Sequence, residues 1–99
     1  MLYAIWGVDT PDSLAGRQAT RPAHVERLKA LLAEGRLVLA GPRPKADAAD
    51  APQAGFHGSL IVAEFPSLEA ARAWADADPY LAAGVYARVE VTPFIQALP

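Results

Sequence analysis

The sequence predicts an α+β fold in which two helices cover one face of a four-stranded antiparallel sheet. Two observations predict it. Apolar runs typical of strands and one-sided apolar repeats typical of helices alternate in the order β-α-β-β-α-β, and a chain of 99 residues has the length of one domain. This order in a chain of this size is typical of a ferredoxin-like sandwich, which we expect to occupy residues 1–99 as a single domain.

The first half of the chain is predicted to form a strand, a helix and a second strand. Residues 2–8 are a short apolar run of strand-compatible residues. A helix is expected to begin near Pro22, because proline is tolerated in a first helical turn, and to end at Gly35. Its apolar positions recur at spacings of three and four: Val25, Leu28, Leu31 and Leu32. Residues 36–41 form the second predicted strand.

The second half is predicted to form a strand, a helix and a last strand after a long loop. Residues 42–57 contain three prolines and many small residues, and long loops of this kind often serve as lids or binding loops. Residues 58–65 form the third predicted strand, and Ser67 is the expected N-cap of the second helix. That helix ends at Asp78–Pro79, because a residue before proline is disfavoured in the α region. Residues 85–91 alternate as the last strand.

Two of the predicted strands are apolar on both faces. The first strand places Leu2, Ala4, Trp6 and Val8 on one face and Tyr3 and Ile5 on the other. A sheet with one solvated face is expected to alternate apolar and polar residues instead. We therefore expect a second copy of the chain to cover the free face in a homodimer. The alternative is that some of these residues are exposed singly, as is common on protein surfaces.

Composition argues against several classes of function. The net charge of −2 and the pI near 5.5 are unlike those of a protein that binds nucleic acid or an anionic membrane. The absence of cysteine excludes disulfides, thiolate nucleophiles and cysteine metal sites. The chain begins without a secretory signal pattern and contains no apolar run of about 18 residues. We expect a cytoplasmic protein without a metal or a redox cofactor.

His24 lies in the apolar stripe of the first predicted helix, so we expect it to face the sheet. It is either a structural histidine hydrogen-bonded within the core or a general acid–base group. Asp78 is the expected partner, because Pro79 defines its turn and the end of a helix is an unfavourable place for a carboxylate. Asp76 is two residues earlier, so one helix cannot direct both carboxylates to the same point.

Arg17, Arg21 and Ser59 are further candidates for contact with a ligand. The two arginines precede the candidate histidine and lie on its side of the helix if the helix begins early. They either clamp an anionic substrate or are solvated surface charges. Ser59, at the start of the third strand, is an expected hydrogen-bond donor to a ligand. It is not a hydrolase nucleophile, because the G-x-S-x-G motif is absent.

Several short segments together resemble the YciI-like (YCII-related) proteins of the dimeric α/β-barrel superfamily. The matching segments are Arg21–His24, Gly41–Pro42, Gly55–Ser59, Asp78–Tyr80, Ala83–Tyr86 and Pro93–Phe94. Each is short, but in this order and spacing they extend the resemblance over essentially the whole chain.

The resemblance implies a ferredoxin-like protomer whose sheets pack face to face in a homodimer. It also implies an active site around a histidine–aspartate pair, which maps onto His24 and Asp78, and Tyr80 joins the expected substrate-binding residues. Some members of the superfamily act on small aromatic or lactone-like compounds, and one such reaction is dehydrochlorination of a chlorinated hydroxyquinol.

We therefore expect an enzyme that uses this pair for proton transfer, isomerisation or elimination on a small oxygenated ring compound. Two alternatives stay open. One is a non-catalytic protein that binds a small ligand in the same pocket, and the other is a structural dimer whose histidine–aspartate pair only stabilises the fold.

Overall fold

The computed structural model describes residues 1–99 as four strands and three helices. In chain order these are β1 Leu2–Asp9, α1 Leu14–Ala33, β2 Leu37–Pro44, β3 Phe56–Glu64, α2 Leu68–Asp76, α3 Pro79–Ala82 and β4 Tyr86–Phe94. The strands form one sheet in the order β2-β3-β1-β4, and all three pairings are antiparallel. This is the ferredoxin-like arrangement, and the predicted fold class is confirmed.

The first helix begins much earlier than the sequence predicts, at Leu14 instead of near Pro22. Proline inside a helix donates no hydrogen bond to the carbonyl four residues earlier. The local sequence therefore favours a helix that starts at Pro22 over one that contains it. Tertiary packing overrides this preference, because the early start places Arg17, His24 and Leu31 on one buried line along α1. The two polar members of that line lie two turns apart on the same face.

The prolines of the predicted loop lie partly in a strand. β2 continues to Pro44 and β3 begins at Phe56, so the connecting segment is shorter than predicted and contains one 3₁₀ turn, Pro52–Ala54. Proline lacks the N–H that a central strand requires, but β2 is an edge strand, where proline is tolerated. The predicted turn after Asp78 is the short helix α3.

The helices cover one face of the sheet, and the opposite face is partly exposed. The core between the sheet and the helices is a cluster of twelve buried side chains that includes Ile5, Ile61 and Tyr80. On the open face, Trp6, Leu39 and Phe94 remain 41%, 47% and 40% exposed. No helix in the chain has the length and apolar character that crossing a membrane requires.

Candidate active site

A pocket of about 300 Å³ opens between α1 and the edge strand β2. Residues of both elements form its walls, with one residue each from β3 and α3: Arg17, Arg21, His24, Val25, Leu28, Lys29, Leu32, Leu37, Ala40, Gly41, Pro42, Ser59 and Tyr80. Five of the six residues that the sequence and the family resemblance select as site residues line this one cavity. The sixth, Asp78, contacts His24 from outside the lining.

His24 and Asp78 form a buried pair. The imidazole Nδ1 lies 3.0 and 2.9 Å from the two carboxylate oxygens, and the side chains are 8% and 3% exposed. An ionised carboxylate only accepts hydrogen bonds, so the Nδ1–H of His24 must donate. In the neutral ring this leaves the lone pair on Nε2, which is the arrangement that a general base requires.

Asp78 directly follows Ala77, the C-cap of α2, and is at the same time the N-cap of α3. Its Oδ1 accepts a hydrogen bond from the backbone N–H of Tyr80 at 2.9 Å, which is a side-chain N-cap. The cap at the N-terminus of α3, where a carboxylate is favoured, therefore offsets the unfavourable position just after α2. Asp76 is exposed and lies 3.6 Å from Arg72, away from the pair.

Tyr80 fixes the plane of the histidine ring. The two rings stack with centroids 4.0 Å apart and planes inclined by 16°. The Tyr80 hydroxyl donates to the Arg17 carbonyl at 3.4 Å. Burial raises the pKa of Tyr80, although the charges of Arg17 and Arg21 act in the opposite direction. This ring is therefore a neutral platform against which His24 is held.

Arg17 is bound to Asp9. The sequence predicted no role for Asp9, because it lies in a turn-like segment after the first strand. Arg17 Nε and Nη2 donate to the two Asp9 oxygens at 2.9 and 3.1 Å, and Nη2 also donates to Ser59 Oγ at 2.7 Å. Burial alone would lower the pKa of Arg17, but the hydrogen bonds and charge of Asp9 outweigh it and raise this pKa. Arg17 is thus a permanent cation already held by protein groups.

Arg21 differs from Arg17, because it is exposed where it lines the pocket and makes no ion pair. It precedes His24 by about one helical turn, so both side chains lie on the same side of α1. Its guanidinium is available to a ligand. Of the two arginines proposed as an anion clamp, the structure leaves only this one without a protein partner.

Tyr86 lies behind Ser59 and is a second residue that the sequence did not single out. Its ring crosses β1 over Gly7, where a Cβ atom would be 2.5 Å from the ring carbon Cζ. The hydroxyl is buried without a hydrogen-bond partner. Burial raises the pKa of Tyr86, and the adjacent Ser59 acts in the opposite direction. A glycine within an apolar strand often marks such a close approach, so Gly7 was an available signal.

His57 lies apart from this arrangement. His57 lines a different groove, with Trp6, Arg43 and Arg88, so it takes no part in the pocket. No three His, Asp or Glu side chains come close enough together to ligate a metal ion.

Comparison with known proteins identifies the family. The sequence pattern of the YCII-related domain matches residues 1–95. The chain belongs to the YCII-related family. Protein YciI from Escherichia coli and protein YciI from Shigella flexneri are each 60% identical to this family member over 94 residues, which cover 95% of this chain and 96% of each relative. The family resemblance inferred from the short segments is confirmed.

Among solved structures, the YCII-related chain is similar to an enzyme of known activity. This is the 5-chloro-2-hydroxyhydroquinone dehydrochlorinase from Burkholderia phenoliruptrix AC1100, in complex with 2,5-dihydroxybenzoquinone. The TM-score is 0.85 at 26% sequence identity, and the match covers 98% of this chain and 96% of the other. An uncharacterized protein from Haemophilus influenzae is 50% identical over 94 residues, covering 95% of this chain and 96% of that protein.

Proposed function

We propose that this YCII-related protein is an acid–base enzyme that acts on a small oxygenated ring compound in the pocket between α1 and β2. The observation that carries the proposal is the buried His24–Asp78 pair, in which the carboxylate holds Nδ1 and the imidazole lines the pocket. The similarity to a dehydrochlorinase that acts on a hydroxylated ring supports the substrate class.

In the proposed reaction, Nε2 of His24 accepts a proton from a ring hydroxyl, and Asp78 stabilises the imidazolium that forms. The same nitrogen then returns the proton to a ring carbon, which by itself is an isomerisation. When that carbon carries chlorine, loss of a second hydroxyl proton to His24 expels chloride with the electron pair of the C–Cl bond. The net change is loss of HCl and formation of a quinone.

Tyr80 and Ser59 have positioning roles in this proposal. The stacked Tyr80 ring keeps the imidazole in one plane, so that a bound substrate meets Nε2 in a constant geometry. Ser59 lines the same pocket as His24 and is held by Arg17 at 2.7 Å, so its hydroxyl is a defined hydrogen-bonding point for a substrate oxygen.

Replacement of either member of the pair should abolish most of the activity. We expect His24→Gln and Asp78→Asn each to lower kcat by about 10²- to 10⁴-fold, the contribution of a positioned acid–base group. Chloride release and quinone absorbance with 5-chloro-2-hydroxyhydroquinone measure the reaction. His57→Gln, in the separate groove, is the matched control and should leave kcat unchanged.

Two results would contradict the proposal in different ways. Full activity of His24→Gln, with its fold verified by circular dichroism, would remove the pair from the chemistry. A wild-type protein that binds hydroxylated rings but converts none of them would favour the alternative of a non-catalytic ligand-binding protein with the same pocket.

We further propose that the chain forms a homodimer through the open face of its sheet. Trp6, Leu39 and Phe94 expose apolar surface there, and a second copy of the chain buries the same residues on both partners. The residues after β4 contribute Gln96 and Leu98 to a shallow cavity on this face, so the interface would include the C-terminal segment.

A charge placed on the open face should separate the dimer. We expect sedimentation equilibrium of the wild type to give a mass near twice 10.5 kDa, and Leu39→Glu to give a monomer, because the substitution would bury an unpaired carboxylate. Leu68→Glu, on α2 and 47% exposed, is the control and should leave the mass unchanged. A wild-type mass near 10.5 kDa at micromolar concentration would refute the dimer.

A further inference from the structure

The lining of the pocket is cationic in a chain whose net charge is −2. Three of the lining residues, Arg17, Arg21 and Lys29, carry a positive charge, and no aspartate or glutamate is among them. The two nearby carboxylates are outside the lining and already paired, Asp9 with Arg17 and Asp78 with His24. The lining of this pocket therefore has an excess of positive charge, which favours an anionic ligand.

Arg21 is the cation best placed to meet that ligand. Arg17 is neutralised by Asp9 through two hydrogen bonds, whereas Arg21 makes no ion pair and is exposed. Arg21 also lines the adjoining cavity beside Pro42 and Phe56, so its side chain reaches both compartments. An arginine one turn from His24 can bind an oxyanion with two parallel N–H donors while the ligand contacts the imidazole.

The hydrogen bonds around Ser59 indicate what its hydroxyl offers to a ligand. Ser59 Oγ accepts from Arg17 Nη2 at 2.7 Å, and a guanidinium only donates, so the Ser59 proton must point away from Arg17. The neighbouring Tyr86 hydroxyl has no partner, and because burial raises the pKa of Tyr86 it keeps its proton as a further donor. Ser59 lines the pocket, and its hydroxyl proton is not used by Arg17, so this hydroxyl can donate a hydrogen bond to a ligand oxygen there.

We propose that the substrate binds in this pocket as an oxyanion, with an ionised ring hydroxyl held by the Ser59 hydroxyl and its charge balanced by Arg21. The substrate class is therefore the acidic phenols and hydroxyquinones. This inference rests on the proposed function for the place of the substrate, and it adds the charge state in which the substrate is recognised. His24 then acts on a second, un-ionised hydroxyl of the same ring.

The test compares two quinones of similar shape and different charge. At neutral pH, 2,5-dihydroxybenzoquinone is ionised because its hydroxyls are vinylogous carboxylic acids, whereas 2,5-dimethoxybenzoquinone is neutral. We expect NMR titration of the full chain to show the dihydroxy compound binding at least about tenfold more tightly, the equivalent of one hydrogen bond to a charged group. Arg21→Gln should remove about tenfold of that affinity and leave the binding of the dimethoxy compound unchanged.

Lys45→Gln is the matched control, because it removes the same charge from a side chain that lies outside this pocket. Equal affinity for both quinones, equal weakening of both by Arg21→Gln, or no binding of the ionised quinone at millimolar concentration would each overturn the inference. Selective anion binding without turnover would retain it and contradict the enzymatic function, while turnover without anion preference would do the reverse.

Discussion

Replacement of Gly58 by alanine is expected to lower the free energy of unfolding by more than about 3 kcal/mol. A Cβ atom at this position would overlap the carbonyl oxygen of Gly7 and lie 2.6 Å from Arg43 Nη2. The oxygen belongs to the backbone of β1, which pairs with β3 here, so no change of rotamer relieves the overlap. The two central strands would have to separate. A thermal melt should show a midpoint lower by more than about 10 °C.

Gly41→Ala provides the matched control within the same sheet. A Cβ atom at Gly41 meets nothing within 4 Å, so the substitution should be neutral or stabilise the protein by less than about 1 kcal/mol. If Gly58→Ala and Gly41→Ala had the same melting midpoint, the close approach of β3 to β1 would not be a feature of the folded protein.

Replacement of Asp9 by alanine is expected to lower the free energy of unfolding by about 3 to 5 kcal/mol. The Asp9 and Arg17 side chains are 1% and 7% exposed, so the substitution leaves a buried guanidinium without its counter-charge. It also removes the acceptor for the Ser13 hydroxyl, which donates to Asp9 at 2.7 Å. Urea denaturation, followed by circular dichroism, measures the loss.

Two further variants distinguish the cost of leaving the Arg17 charge buried and unpaired from the cost of removing a carboxylate. The double variant Asp9→Ala with Arg17→Met should recover part of the stability, because an apolar side chain needs no partner in a buried site. Asp76→Ala removes a 55% exposed carboxylate from its 3.6 Å pair with Arg72 and should change stability by less than about 0.5 kcal/mol. An effect of Asp9→Ala as small as that of Asp76→Ala would show that Arg17 does not depend on Asp9.

The order of the elements could be predicted because apolar periodicity is a local property of the chain. The alternation of residues 85–91 predicted β4, and the spacing of apolar residues around Leu28 and Leu31 predicted α1. The boundaries were wrong where prolines were involved. Pro22 lies inside α1 and Pro42 inside β2, because packing of the buried helix face and the edge position of the strand outweigh the local preference.

The candidate site could be predicted in part. The helical stripe placed His24 towards the sheet, and the expected contact between His24 and Asp78 is present in the structure. The contacts of Asp9 and Tyr86 in the site were not predicted. Asp9 acquires its role only because α1 begins early enough to present Arg17 to it, and Tyr86 is near Ser59 only because β1 has no side chain at Gly7.

By itself, the sequence determined the fold class, the family and the face of α1 on which His24 lies. The periodicity of apolar residues predicted the fold class and the helix face, and short segments at fixed spacing indicated the family. Only the tertiary structure decided which groups meet. His24 and Asp78 are 54 residues apart and Arg17 and Ser59 are 42 apart, yet both pairs form hydrogen bonds. No local pattern relates residues at such separations, because their contact depends on how the helices pack across the finished sheet.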